Sequence, residues 1–228
     1  MKNTQGWFVF WLTYVLVASL LDKRKEAKME GITKGGSVKT KEIFQVLLSN
    51  FICSSFIPLM LDLYLDSDNP ITNIISPTFI PSQLPEINIL KSLNLFKFLL
   101  KIFFSLLVAE VWFYYTHLLL HTKTFYPYHR LHHRYTIPFS WATLYCSCFE
   151  MIFVNQLSVT IGPYLMNMNT LEICIWSVIV CTKVLLAHSG MLGSWDSKVH
   201  TLHHERYNVN FGVIYLLDRF HGTYLEPY

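Results

Sequence analysis

Long apolar runs alternate with polar segments along this chain, and each run is near the length at which a helix crosses a membrane. The runs are Trp7–Leu21, about Ile43–Leu63, Phe98–Leu120, Trp141–Leu165 and Leu171–Ala187. A helix rises about 1.5 Å per residue, so roughly 20 apolar residues cross the bilayer core. Because only Met166–Thr170 separates the last two runs, they predict a helical hairpin. The pattern therefore predicts an all-α, multi-span helical membrane protein with about five spans.

The first run is the shortest, and it has two interpretations. Trp7–Leu21 is either a membrane anchor or a signal peptide that is cleaved near Val17-Ala18-Ser19. The charged residues Asp22-Lys23-Arg24-Lys25 that follow are typical of a segment that stops transfer into the membrane. We therefore favour the anchor.

Composition agrees with a membrane protein. Of the 228 residues, 52% are hydrophobic and 14% are charged, whereas soluble domains carry about 25% charged residues. The net charge is +3, and no basic block is interleaved with aromatic residues. Nothing in the sequence therefore indicates a nucleic-acid partner.

The distribution of lysine and arginine predicts the orientation in the membrane. The segment 22–42 contains seven of them, whereas the Pro-rich connection 64–96 contains only Lys91. The segment 121–140 contains three and no acidic residue. Because Lys and Arg accumulate on the cytoplasmic side, 22–42, 121–140 and the C-terminal segment are predicted to be cytosolic and 64–96 luminal.

Nine of the ten histidines form three ordered boxes and one single position. The boxes read HxxxH (His117, His121), HxxHH (His129, His132, His133) and HxxHH (His200, His203, His204), with His188 alone. Spacings of three and four residues place side chains on one face of a helix. Imidazole binds zinc, copper, iron and nickel, and nine exceed the coordination shell of one ion. The boxes flank the predicted hairpin, so we expect them to meet on the cytosolic side around two metal ions.

Three charged residues lie inside apolar runs. Glu110 precedes His117 by seven residues, so it either orients a ligand histidine, lines a substrate pocket or pairs with a neighbouring helix. Glu150 and Lys183 are expected to pair with each other or to reach the membrane surface, without a catalytic role. The apolar hairpin beside the boxes is expected to provide a dry pocket for a lipid chain.

The boxes and their surroundings resemble the fatty acid hydroxylase superfamily, which includes sterol methyl oxidases, sterol desaturases and sphingolipid fatty-acyl hydroxylases. The context Ala187-His188-Ser189-Gly190 and the tail Asn210-Phe211-Gly212 with Asp218-Arg219-Phe220-His221-Gly222-Thr223 share the resemblance. It covers about Val108–Tyr224. His221 departs from it, because an apolar residue is expected there, and it is interpreted as an extra ligand, a hydrogen-bond partner of one or a packed tail residue.

The resemblance implies a di-iron oxygenase in the endoplasmic reticulum membrane, with its active site in the cytosol. O2 and an electron donor of the cytochrome b5 type, with its reductase, would be required. Imidazole accepts zinc as well, so zinc is compatible with purified samples. Residues 1–96 would form an anchor region with two spans and a luminal connection, and residues 97–228 the catalytic domain. The metal ligands and catalytic residues would be His117, His121, His129, His132, His133, His188, His200, His203 and His204.

Substrate and reaction remain open at this level. The three-residue gap in the first box resembles the sterol-acting branch, so a sterol is favoured as the lipid that is hydroxylated or desaturated. The alternatives are a fatty-acyl or sphingolipid hydroxylase or desaturase, an inactive scaffold, and a histidine-rich metal transporter. The sequence has no flavin, haem or dinucleotide motif, so electrons are expected from a separate protein. The basic residues Lys123, Arg130 and Arg134 are candidates for docking an acidic carrier.

Overall fold

The regular structure is helical throughout the part of the chain that the computed structural model describes, which comprises residues 2–23, 40–66, 95–190 and 194–227. The all-α prediction is therefore confirmed. The helices are α1 (Lys2–Lys23), α2 (Thr40–Asp66), α3 (Leu95–Leu120), α4 (Tyr126–His129), α5 (Cys148–Glu150), α6 (Leu157–Leu165), α7 (Thr170–His188), α8 (Trp195–Arg206) and α9 (Leu216–His221). Turns of 3-10 helix occur at His132–Arg134 and Ser140–Ala142, and a π-helical turn at Met151–Gln156.

Three of these helices are long and apolar enough to cross a membrane by length and composition. They contain the segments Lys2–Asp22, Lys41–Leu63 and Thr170–His188. Helix α3 has 26 residues and exposes many large apolar side chains, Phe96, Phe103 and Val111 among them. The protein is thus a helical membrane protein, and the total of five spans stays a prediction.

Helix α1 is packed into the rest of the molecule. Its main neighbours are α7 and α2. The Tyr14 hydroxyl donates to the carbonyl of Trp141 over 2.8 Å, and the Asp22 carboxylate accepts the backbone N–H groups of Ser140 (3.1 Å) and Trp141 (2.9 Å). Removing α1 would expose these buried groups, so the packing favours the anchor over a cleaved signal peptide.

The fourth apolar run departs from the prediction at its start. A helix was expected from Trp141, but helix α5 begins at Cys148, where the Ser147 hydroxyl caps it by accepting the Glu150 backbone N–H over 3.2 Å. The preceding segment is buried in irregular backbone, because its polar groups find partners on α1 and α2. One partner is Asn50, whose amide donates to the carbonyls of Leu144 and Cys146.

The predicted hairpin is confirmed. Helix α6 ends at Leu165, and α7 begins at Thr170 with a capping box in which Asn169 and Glu172 satisfy each other's backbone N–H groups. Helix α6 lies directly on α3 at Gly162, where an added Cβ would come within 2.6 Å of the Ser105 Cα. Glycine is required for this close approach.

Parts of two predicted connections lie outside the described residues. These are 24–39 of the polar segment 22–42 and 67–94 of the Pro-rich connection 64–96. The division of the chain into 1–96 and 97–228 stays a prediction, although α1 and α7 share one apolar core.

Candidate metal centre

The first two boxes lie at or just beyond helix ends, and the third lies on a short helix. His117 is in the last turn of α3, and His121 follows that helix. The second box does not lie on one continuous helix as its spacing suggested. It runs from the end of α4 at His129 into the 3-10 turn that begins at His132. His188 ends α7, and the third box lies on α8.

The structure brings all nine histidines together in two groups. Within each group, one nitrogen from every histidine lies within 4.8 Å of the others. Group A contains His117, His121, His129, His133 and His203, and group B contains His132, His188, His200 and His204.

Each HxxHH box contributes to both groups in a reciprocal way. In the second box the outer residues His129 and His133 join group A, and the middle residue His132 joins group B. In the third box the outer residues His200 and His204 join group B, whereas the middle histidine, His203, joins group A. The two groups are therefore interlocked, and neither can be built from one box alone.

The spacing of the nitrogens fits ligands around cations better than hydrogen bonds between rings. In group A the Nε2 atom of His133 lies 3.2 Å from that of His121, 3.0 Å from that of His129 and 3.2 Å from that of His203. A ring nitrogen carries either one proton or one lone pair, so it cannot satisfy three such contacts. Two nitrogens bound to one metal at about 2.0–2.1 Å lie roughly 2.9–3.4 Å apart for angles between 90° and tetrahedral.

Group B has the same spacing. The Nε2 atom of His188 lies 2.9 Å from that of His200 and 3.3 Å from that of His132. The Nε2 atoms of His200 and His204 are 3.1 Å apart. The donor sets of both groups therefore fit a bound metal ion.

In four of the histidines, Nε2 faces the group and the other ring nitrogen, Nδ1, contacts a backbone carbonyl. Nδ1 of His117 donates to the carbonyl of Phe211 over 2.8 Å, and Nδ1 of His203 to that of Val209 over 2.7 Å. Nδ1 of His188 donates to the carbonyl of Val184 over 2.9 Å, and Nδ1 of His204 to that of Tyr135 over 3.1 Å. An Nδ1–H that is donated in this way leaves the Nε2 lone pair free for a metal and fixes the ring orientation.

Burial keeps the imidazoles neutral. Desolvation lowers the pKa of His121 to about 2, with smaller contributions from neighbouring His117 and His129. Burial is also the largest cause that holds the pKa values of His203 and His204 well below the usual value. Neutral imidazole is the metal-binding form, so at neutral pH protons do not compete for these ligands.

Two buried carboxylates hold the tail that supplies the Phe211 carbonyl. Glu110 accepts the backbone N–H groups of Val213 (2.7 Å), Ile214 (2.8 Å) and Leu217 (3.0 Å). Asp218 accepts those of Phe211 (2.8 Å) and Gly212 (2.7 Å). Of the three roles considered for Glu110, pairing with a neighbouring helix fits this placement, because one N–H that it accepts belongs to Leu217 in α9; it reaches His117 only through the tail.

The tail also explains a glycine of the motif. A Cβ at Gly212 would lie 2.6 Å from Oε1 of Glu110 and 2.8 Å from Oδ2 of Asp218. Only glycine leaves room for both carboxylates here.

Two other charged residues depart from expectation. Lys183 pairs with Asp196 over 2.9 Å and not with Glu150. Glu150 instead turns its carboxylate toward His129 and His132, a placement that the sequence interpretation did not assign to it. The available signal was an acidic residue inside an apolar run, the same signal that singled out Glu110.

His221 lies outside both groups. It is exposed, stacks on Tyr114 with ring centroids 5.3 Å apart, and places Nε2 3.1 Å from the Tyr115 hydroxyl. Of the interpretations considered, the packed tail residue fits this placement.

The hairpin borders one cleft that does not serve as the expected lipid pocket. It lies between α1, α6 and α7, with Trp7, Val159 and Trp176 in its walls, and no histidine lines it. Its volume of about 50 Å³ is far below the roughly 300–1,000 Å³ of ligand pockets. The lipid pocket beside the boxes stays a prediction.

Comparison with known proteins gives a family match over the part of the chain that contains this centre. The family model described as "Fatty acid hydroxylase" matches residues 102–223, more than half of the chain. The matched segment contains all nine grouped histidines and both carboxylates that hold the tail. No solved structure matches the chain at a significant level.

Similar curated proteins carry several lipid-related names. "Fatty acid hydroxylase domain-containing protein 2" from Homo sapiens is 35% identical over 129 residues, covering 55% of this chain and 39% of that protein. A "Putative methylsterol monooxygenase" from Dictyostelium discoideum is 27% identical over 142 residues, covering 57% of this chain and 53% of that protein. A "Very-long-chain aldehyde decarbonylase" from Oryza sativa subsp. indica is 30% identical over 115 residues, covering 46% and 43%. The chain thus spans about half or less of these relatives' lengths.

Proposed function

The chain belongs to the fatty acid hydroxylase family, and from this premise we propose that it is a membrane oxygenase that hydroxylates or desaturates a lipid. The observation that carries the proposal is the convergence of nine buried or half-buried histidines into two groups with metal-ligand spacing. Group A and group B would each hold one iron ion. Residues 97–228 would form the catalytic unit, and residues 1–96 its membrane anchor.

The chain's own residues would prepare the site for this chemistry. Two iron ions, when bound, would activate O2, and the two electrons per turnover would come from a separate donor protein. The carbonyls of Phe211, Val209, Val184 and Tyr135 orient the ligand rings. Burial of the imidazoles excludes water and keeps the rings neutral. The rings of His121, His203 and His204 are neutral at pH 7, so none of them has to lose a proton before a metal binds.

A sterol is the proposed substrate. The relative from Dictyostelium discoideum carries a methylsterol name, and the short first box agrees with that branch. The aldehyde name of the Oryza sativa relative supports an acyl-chain substrate as the alternative. A metal transporter is less well supported, because His117 and His188 lie at helix ends and the third box lies on α8, which is not among the candidate spans, whereas transporters bind their ions near the middle of the membrane.

The proposal also includes an electron donor and a membrane. We propose a cytochrome b5-type donor with its reductase, acting on the cytosolic side of the endoplasmic reticulum membrane. The exposed residues Lys123 and Arg130 would contribute to a basic docking surface. Arg134 is already paired with Glu42 over 2.9 Å, so it is a weaker candidate than the sequence suggested.

The first prediction is that purified protein is inactive alone and gains activity with a haem carrier and its reductase. In a reconstituted assay with sterol, ceramide and acyl-CoA side by side, we expect the sterol to be oxidised. Higher ionic strength should lower the rate at limiting carrier, because docking between opposite charges is screened by salt. Oxidation of an acyl chain alone would refute the sterol but keep the enzyme class. Oxidation without any electron donor would refute the class.

A further inference from the structure

Glu150 lies between the two groups of histidines. Its side chain is buried, with 3% exposed. Oε2 lies 2.9 Å from Nδ1 of His129, a member of group A, and Oε1 lies 4.0 Å from Nδ1 of His132, a member of group B. One carboxylate thus faces a ligand of each proposed ion.

Glu150 lies close to both rings but directs no aligned hydrogen bond at either of them. The 2.9 Å separation is short, yet neither Oε2 of Glu150 nor Nδ1 of His129 makes an aligned hydrogen bond. Nδ1 of His132 also lacks an acceptor. Glu150 therefore presents a carboxyl group to both rings without directing a hydrogen bond at either, and toward bound cations it would act through its negative charge.

The other supporting contacts of the ligands are uncharged. His117, His188, His203 and His204 place Nδ1 against backbone carbonyls. Two divalent cations among neutral imidazoles would leave a large buried positive charge, and a nearby carboxylate offsets part of it. Lys183 does not compete for Glu150, since it pairs with Asp196.

Local structure fixes the position of Glu150. Ser147 caps α5 by accepting the Glu150 backbone N–H, and the π-helical turn Met151–Gln156 follows directly. Such turns insert one residue into a helix, change the direction of neighbouring side chains and are frequent at functional sites. The helix start and the π-helical turn together set the carboxylate beside the second box.

We propose that Glu150 is a positioning residue shared by both metal sites, whose single charge stabilises the ion in group A through His129 and the ion in group B through His132. The inference rests on the proposed function, because it requires two bound ions. Its signature is that one substitution weakens both sites together.

The test is a cobalt(II) titration of the purified full chain with a competing chelator, following the visible absorption of bound cobalt. Glu150→Gln keeps the shape and removes the charge. We expect both binding steps to weaken by at least about tenfold, as is typical when the partner of a metal ligand is lost. Glu150→Asp keeps the charge and should bind with intermediate affinity. The matched control is Glu172→Gln, another buried carboxylate, which binds Lys101 and the start of α7 and should leave both steps unchanged.

Two results would overturn the inference while keeping the proposed function: wild-type affinity at both sites in Glu150→Gln, or a loss confined to one site. Wild-type protein that binds no cobalt would overturn the proposed function and this inference together. Circular dichroism checks the helical content of each variant. If Glu150→Gln does not fold, Glu150→Asp decides the question, with weakening of both steps supporting the inference and an unchanged titration refuting it.

Discussion

Replacing His132 or His203 by alanine is expected to abolish lipid oxidation while leaving the helical fold in place. The two residues are the middle histidines of their boxes and belong to different groups, His132 to group B and His203 to group A. Substituting even the partner of a metal ligand typically costs 10–100-fold in affinity or activity, so loss of a ligand itself should cost more than about 100-fold. The fold should persist, because apolar contacts between α1, α2 and α7 hold it.

The metal content should separate the two variants. His132→Ala leaves three histidines in group B, so we expect it to lose about one ion per chain. His203→Ala leaves four in group A, so its ion should be retained more weakly and be removed by a milder chelator. The matched control is His221→Ala, which removes an exposed histidine outside both groups and should keep both activity and metal. Full activity in His132→Ala or His203→Ala would contradict the assignment of ligands.

Replacing Glu110 by alanine should destabilise the protein and weaken metal binding by group A. The carboxylate, 1% exposed, accepts three backbone N–H groups of the tail. Each of these part-buried donors costs up to about 1–3 kcal/mol when it loses its acceptor, so the total is a sizeable fraction of the stability of many proteins. The tail would then no longer hold the Phe211 carbonyl against Nδ1 of His117.

The measurement is thermal unfolding in detergent together with metal analysis. Glu110→Ala should lower the unfolding midpoint by roughly 10 °C or more. Glu110→Gln, which keeps one acceptor oxygen, should have a smaller effect. An unchanged midpoint in Glu110→Ala would show that these backbone contacts do not stabilise the tail.

The sequence predicted the helices well, because long apolar runs have few alternatives to a helix in a membrane. The exception was the start of the fourth run. There the carboxylate of Asp22 and the amide of Asn50 satisfy the backbone of an irregular segment. Those partners lie 94 or more residues away in sequence, so no local pattern could reveal them.

For the centre, spacing predicted two ions but not which histidine belongs to which group. Residues three and four positions apart share a helix face, so an HxxHH box looks like one ligand set. In the structure, His132 lies in group B although its box neighbours lie in group A, and His203 lies in group A although its box neighbours lie in group B. This exchange depends on how α8 lies against the turn after α4, which is tertiary information. Glu150 was missed for the same reason, since its partners became visible only once the second box was placed beside α5.

The most direct test of the account is the number of metal ions per chain. Protein purified after loading with excess iron should contain close to two ions in total, iron and zinc counted together, because the two groups offer separate donor sets of five and four histidines. A total that stays near one in the presence of excess iron would contradict the dinuclear centre on which the proposed function rests.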